Sequence, residues 1–100
     1  MNRKSEGTAM LDVKVLGPGC AKCYALERAA RGALEQLLQE QPGLNVRFEH
    51  IEDLLAIEQY PVLFTPALVV NGKVVCAGRI PKREDILAWY RQALNAAGGN

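Results

Sequence analysis

Met10-Leu11-Asp12-Val13-Lys14-Val15-Leu16-Gly17-Pro18-Gly19-Cys20-Ala21-Lys22-Cys23 is the stretch on which the fold of this 100-residue chain turns. Its first half alternates, Leu11, Val13 and Val15 against Asp12 and Lys14, and period two reads as a strand. Gly17-Pro18-Gly19 stops that strand. From Cys20 the period becomes helical: Cys23, Leu26, Ala30, Leu34, Leu37 and Leu38 recur at three and four, with Lys22, Arg28, Arg31, Glu35 and Gln36 between them. Gly32 costs this helix about 1 kcal/mol relative to Ala, which the flanking pattern outweighs. Pro42-Gly43 ends it. Two cysteines therefore open a helix directly after a strand.

Downstream the alternation returns in Leu44, Val46 and Phe48 against Asn45, Arg47 and Glu49, a second strand. Residues 51–58, with Ile51, Leu54, Leu55 and Ile57 among acids, read as a short helix closed by Tyr60-Pro61. Ala67–Val70 is an apolar run of strand length. Asn71-Gly72 is a strong hairpin signal because both residues tolerate positive φ, and Lys73–Ala77 is the returning strand. After Pro81 a last helix places Ile86, Tyr90, Ala93, Leu94 and Ala97 on one face, with Leu87 beside it. The order is β-α-β-α-β-β-α. A long helix between the first two strands makes them parallel by a right-handed crossover, and the last two form an antiparallel hairpin. The expected fold is α/β, a mixed four-stranded sheet with helices on both faces. Residues 1–9 read as a loose polar tail and 10–97 as one domain.

Composition bounds the function. Hydrophobic residues are 49% of the chain, enough for a core. Twelve Lys and Arg against eleven Asp and Glu give net +1, which argues against a nucleic-acid or anionic-membrane partner held by charge alone. No apolar run approaches the roughly 18 residues of a membrane span. No apolar segment follows Arg3 and Lys4, so the expected compartment is the cytoplasm. Three cysteines do not suggest a disulfide-stapled secreted scaffold, and with the single His50 they cannot close a four-ligand zinc site within one chain without carboxylates.

The chemistry lies in Cys20-Ala21-Lys22-Cys23. A helix N-terminus offers unpaired N–H groups and about half a positive charge. A thiolate at Cys20 is stabilised there, and Lys22 adds a positive charge. Lowering a thiol from about 8.5 by one or two units makes it reactive at neutral pH. Cys23, one turn on, lies on the buried stripe of the same helix and reaches Cys20. This makes Cys20 the exposed attacking thiol and Cys23 the buried resolving one. The same pair is also half a metal site, and cysteines are often merely small buried hydrophobes. Thr65-Pro66 precedes the apolar strand. An X-Pro bond has ready access to cis, although a proline can equally begin a strand in trans. Cys76 reads as a strand residue, with a third-ligand or disulfide role as the alternative. His50 reads as a surface or loop residue, Lys82-Arg83-Glu84-Asp85 as a solvated helix start, and Trp89 and Tyr90 as core.

Two stretches together, residues 15–23 and Thr65-Pro66-Ala67-Leu68-Val69-Val70-Asn71-Gly72-Lys73-Val74-Val75, resemble the thioredoxin-like superfamily and within it the small redox-active disulfide proteins. The resemblance extends over about residues 10–96 and takes in Ala77-Gly78-Arg79-Ile80-Pro81 and Glu84-Asp85. It implies a minimal thioredoxin-like fold and a thiol–disulfide oxidoreductase with no cofactor. The implied partners are a disulfide-containing protein or small molecule and a reductase or small thiol as electron donor. It implies that Pro66 is a cis-proline facing the cysteines and that the Thr65 backbone binds substrate. Gly19, Ala21 and Lys22 would tune the thiolate. The chain departs from thioredoxins in having Gly19 before Cys20 and its only tryptophan at Trp89. It has Lys14 where they carry a buried Asp, so no proton acceptor for Cys23 is assigned. The glutathione clamp of glutaredoxins is not matched by Ala77-Gly78 and Asp85. A different class of function remains beside this one: a module holding a soft metal or metalloid ion through Cys20, Cys23 and a third thiolate from Cys76.

Overall fold

The computed structural model describes residues 10–98; the tail expected over 1–9 lies outside the described residues. Strand β1 (Met10–Leu16) leads to helix α1 (Ala21–Glu40), then β2 (Asn45–Ile51), a one-turn α2 (Leu54–Ile57), β3 (Ala67–Val70), β4 (Lys73–Ala77) and α3 (Arg83–Gly98). The sheet runs β2-β1-β3-β4. β1 and β2 are parallel, while β3 is antiparallel to both β1 and β4. This is the α/β arrangement read from the sequence, with β1 brought to the centre.

Alternation in β1 sorts its side chains between two layers. Leu11, Val13 and Val15 are fully buried against Leu26, Ala30 and Leu37 of α1 and Ile86 and Tyr90 of α3. Leu16 faces the other way, joining Ala67, Val69 and Ile57 in a smaller cluster. The two long helices thus cover one face and α2 covers part of the other. Tyr90 ties the long helices together. Its hydroxyl donates to the Ala30 carbonyl at 2.9 Å in a buried setting.

The short helix starts later than the sequence pattern suggests. Ile51 belongs to β2, because its carbonyl accepts the Gly17 N–H at 3.0 Å and it pairs with Leu16. Asp53 then caps α2, its carboxylate accepting the Ala56 N–H at 3.0 Å. At the hairpin, Asn71 and Gly72 adopt φ of 48° and 82°, as a primed turn requires. Asn71 does more than turn. Its Oδ1 accepts the Asp12 N–H at 2.7 Å and its backbone N–H donates to the Asp12 carbonyl at 2.7 Å, so it also locks the hairpin to β1.

Candidate active site

The loop 17–19 delivers Cys20 to the N-cap of α1, where its backbone is extended. Cys20 is exposed and Cys23 is fully buried, and their Sγ atoms are 3.0 Å apart. The Cys23 thiol donating to Cys20 holds the Cys20 thiol below its ordinary range, helped by the backbone N–H groups of Cys23 and Lys22. Burial pushes the Cys23 thiol up, and its bond to Cys20 adds to that. Two like thiols thereby acquire opposite ionisation behaviour, which is what separate attacking and resolving roles require. Lys22 helps by its backbone N–H, while its side chain is exposed to solvent.

Gly17 sets the approach of the other elements. A Cβ on Gly17 would overlap the Cys23 Sγ and come within 3.7 Å of the Pro66 Cα. Only a hydrogen on Cα lets the loop pass between the buried sulfur and the proline. Pro66 is itself buried, the Thr65–Pro66 bond is cis, and the Pro66 carbonyl accepts the Gly78 N–H at 2.8 Å. Thr65 is exposed at the edge of the site. Just before it, Leu63 and Phe64 stand 91% and 66% exposed, an apolar rim beside the thiols' end of the sheet.

The sequence reading passed over His50. It is not a loop residue: it sits in β2, its side chain only 9% exposed. Its Nδ1 meets Glu27 Oε1 at 2.8 Å and its Nε2 meets the Gly17 carbonyl at 3.2 Å. The signal was present, since His50 continues the inward set Val46 and Phe48. The bond from His50 is the chief cause holding the Glu27 carboxyl below the usual carboxylate range. Tyr24 packs edge-on to the His50 ring at 5.6 Å.

Cys76 does not join the pair. It is buried in β4 opposite Leu68, within the apolar cluster under α1 and α3. Burial pushes its thiol up. Among the described residues no group of three His, Cys, Asp or Glu is gathered that could hold a metal ion, so the three-thiolate site is not assembled. A cavity of about 360 Å³ between Asn71, Val75 and Trp89 opens at the hairpin end of β3, away from Pro66.

Comparison with known proteins agrees with this geometry. The family described as Thioredoxin domain matches residues 11–91. A thioredoxin of Methanothermobacter thermautotrophicus is 32% identical over 77 residues, covering 77% of this chain and 94% of its own length. A thioredoxin of Methanocaldococcus jannaschii is 27% identical over 77 residues, covering 77% of this chain and 83% of its own.

Proposed function

As a member of the thioredoxin family and a thiol–disulfide oxidoreductase, this chain, we propose, works as a thioredoxin-type reductant of disulfides, with Cys20 attacking and Cys23 resolving. Cys20 thiolate attacks one sulfur of the substrate disulfide. A mixed disulfide forms, and the other substrate sulfur leaves as a thiolate that takes a proton from water. Cys23 then gives its proton to water, which returns one to the departing substrate sulfur, and attacks Cys20 Sγ. The Cys20–Cys23 bond forms, the mixed disulfide breaks, and the second substrate thiol departs. The substrate gains two electrons and the cysteine pair loses them.

The observation that carries this reading is the pair of sulfurs 3.0 Å apart, one exposed and one buried. Pro66 flanks the same Gly17 against which Cys23 packs. The Thr65 backbone lines up the substrate's extended segment beside Cys20, with Gly19, Ala21 and Lys22 shaping the thiolate's surroundings. A reductase or a small thiol returns the pair to the dithiol. The absence of a matched glutathione clamp favours a reductase. A reductant of this kind works where its dithiol is kept reduced, which we assign to the cytoplasm.

The test is paired variants against a protein disulfide. Cys20→Ser should abolish reduction, and Cys23→Ser should accumulate the mixed disulfide on Cys20. Trapping on Cys23 in the first variant would reverse the roles. A wild-type pair that forms no disulfide in any glutathione redox buffer would end the reading.

A further inference from the structure

We propose that His50 is a positioning residue whose ring, braced by Glu27, clamps Gly17 against Cys23 and so speeds resolution of the mixed disulfide. The inference rests on the oxidoreductase reading above.

Both ring nitrogens of His50 face acceptors: a carboxylate oxygen of Glu27 at 2.8 Å and the backbone carbonyl of Gly17 at 3.2 Å. Neither acceptor can donate. A neutral imidazole carries one N–H and satisfies one of them; only a ring with a proton on each nitrogen satisfies both. The clamp is the Nε2 proton on the Gly17 carbonyl, with Glu27 holding the other side of the ring.

What the clamp holds is specific. The Gly17 N–H is bonded to Ile51 and its carbonyl to His50, so neighbouring residues at the end of β2 grip one residue by both its backbone groups. That residue lies against the Cys23 sulfur. Glu27 is one turn beyond Cys23 on α1, so the ring bridges the loop before the cysteines to the helix that carries them. The charged and titratable groups around the ring are few. Glu27, with Arg31 bonded to its other oxygen at 3.0 Å, and Tyr24 come from α1. Glu52, two residues past His50, stands with the Tyr24 hydroxyl near Gly19. Cys20 and Cys23 lie across Gly17, and the sheet partner of His50 is the apolar Val15.

Reduced protein mixed with a chromogenic aromatic disulfide releases two aromatic thiols. The first leaves as Cys20 forms the mixed disulfide and the second as Cys23 displaces it, so stopped flow separates the steps. His50→Phe keeps a ring and deletes both donors. It should slow the second release about fivefold, the rate equivalent of one hydrogen bond, and change the first by less than about twofold. A wild-type to variant ratio of one for the second release overturns the proposal, as does an equal slowing of both releases. Should the variant not fold, nitrogen-15 spectra of the wild-type ring decide. A proton on the nitrogen facing the Gly17 carbonyl supports the clamp, and a bare nitrogen there overturns it. If the wild type releases neither thiol, the oxidoreductase reading itself has failed. If it releases both and the variant matches it, the clamp alone has failed.

Discussion

Replacing Gly17 by alanine adds one methyl group where the Cys23 sulfur already stands, with the Pro66 backbone on the other side. Neither neighbour is the free end of a flexible chain. Gly17→Ala should destabilise the protein by about 1–3 kcal/mol, the usual cost of overpacking, and slow disulfide exchange. Urea unfolding measures the first, and an unchanged midpoint would contradict the close packing. The two active thiols should also titrate apart. Cys20 should alkylate half-maximally below the ordinary thiol value of about 8.5, and Cys23, read in a Cys20→Ser variant, above it. Mass spectrometry of the alkylated peptides across pH checks the order. The Cys-x-x-Cys motif and Thr65-Pro66 were legible in the sequence because spacing and turn chemistry are local. The wedge at Gly17 was not, because it depends on a sulfur six residues away and a proline beyond α1, β2 and α2.

Elements carry their own consequences. The hydroxyl of Tyr90 is the buried polar link from α3 to the middle of α1. Tyr90→Phe keeps the ring and leaves the Ala30 carbonyl to its helical partner, so it should cost about 1 kcal/mol. A loss above about 3 kcal/mol in denaturant titrations would mean that the hydroxyl does more than bond. Glu27 makes an acid-side prediction. Its folded carboxyl titrates lower than in the unfolded chain, so the unfolded chain binds more protons as pH falls. The stabilisation is present above the unfolded value and is lost as pH falls through the folded one. Glu27→Gln should therefore show a shallower loss of stability between about pH 5 and pH 3, measured by thermal melts. Strands and long helices were readable because each keeps one period for several residues. The start of α2 was not: Ile51 fits a helical stripe and a strand end equally well, and the Gly17 N–H decides for the strand. His50 was misread for a related reason: with the strand ended at Glu49, the alternation of Val46 and Phe48 was not carried on to it.

For the molecule as a whole, buried thiols set the alkaline limit of the reduced form. Burial raises both Cys23 and Cys76, so the unfolded chain ionises first as pH rises from about 8.5. The stabilisation from each is complete below that value and is lost as pH rises through the folded one. The stability of the wild type relative to Cys76→Val should fall from about pH 8 to pH 10, and calorimetry of the two reduced proteins checks it. Cys76 was legible as a strand residue, and the packed sheet then separates it from the other two thiols. The last consequence returns to Gly17, pressed between pieces of chain that meet only after folding. A fragment ending at Pro42 would hold both reactive cysteines and their whole helix, yet lack the prolyl wall and the strand that grips the loop. Its Cys20 would keep the neighbouring thiol and N–H groups that lower it, while its Cys23 would lose the burial that raises it. The contrast between the two sulfurs belongs to the assembled tertiary structure and would not survive grafting of the four-residue motif onto another helix.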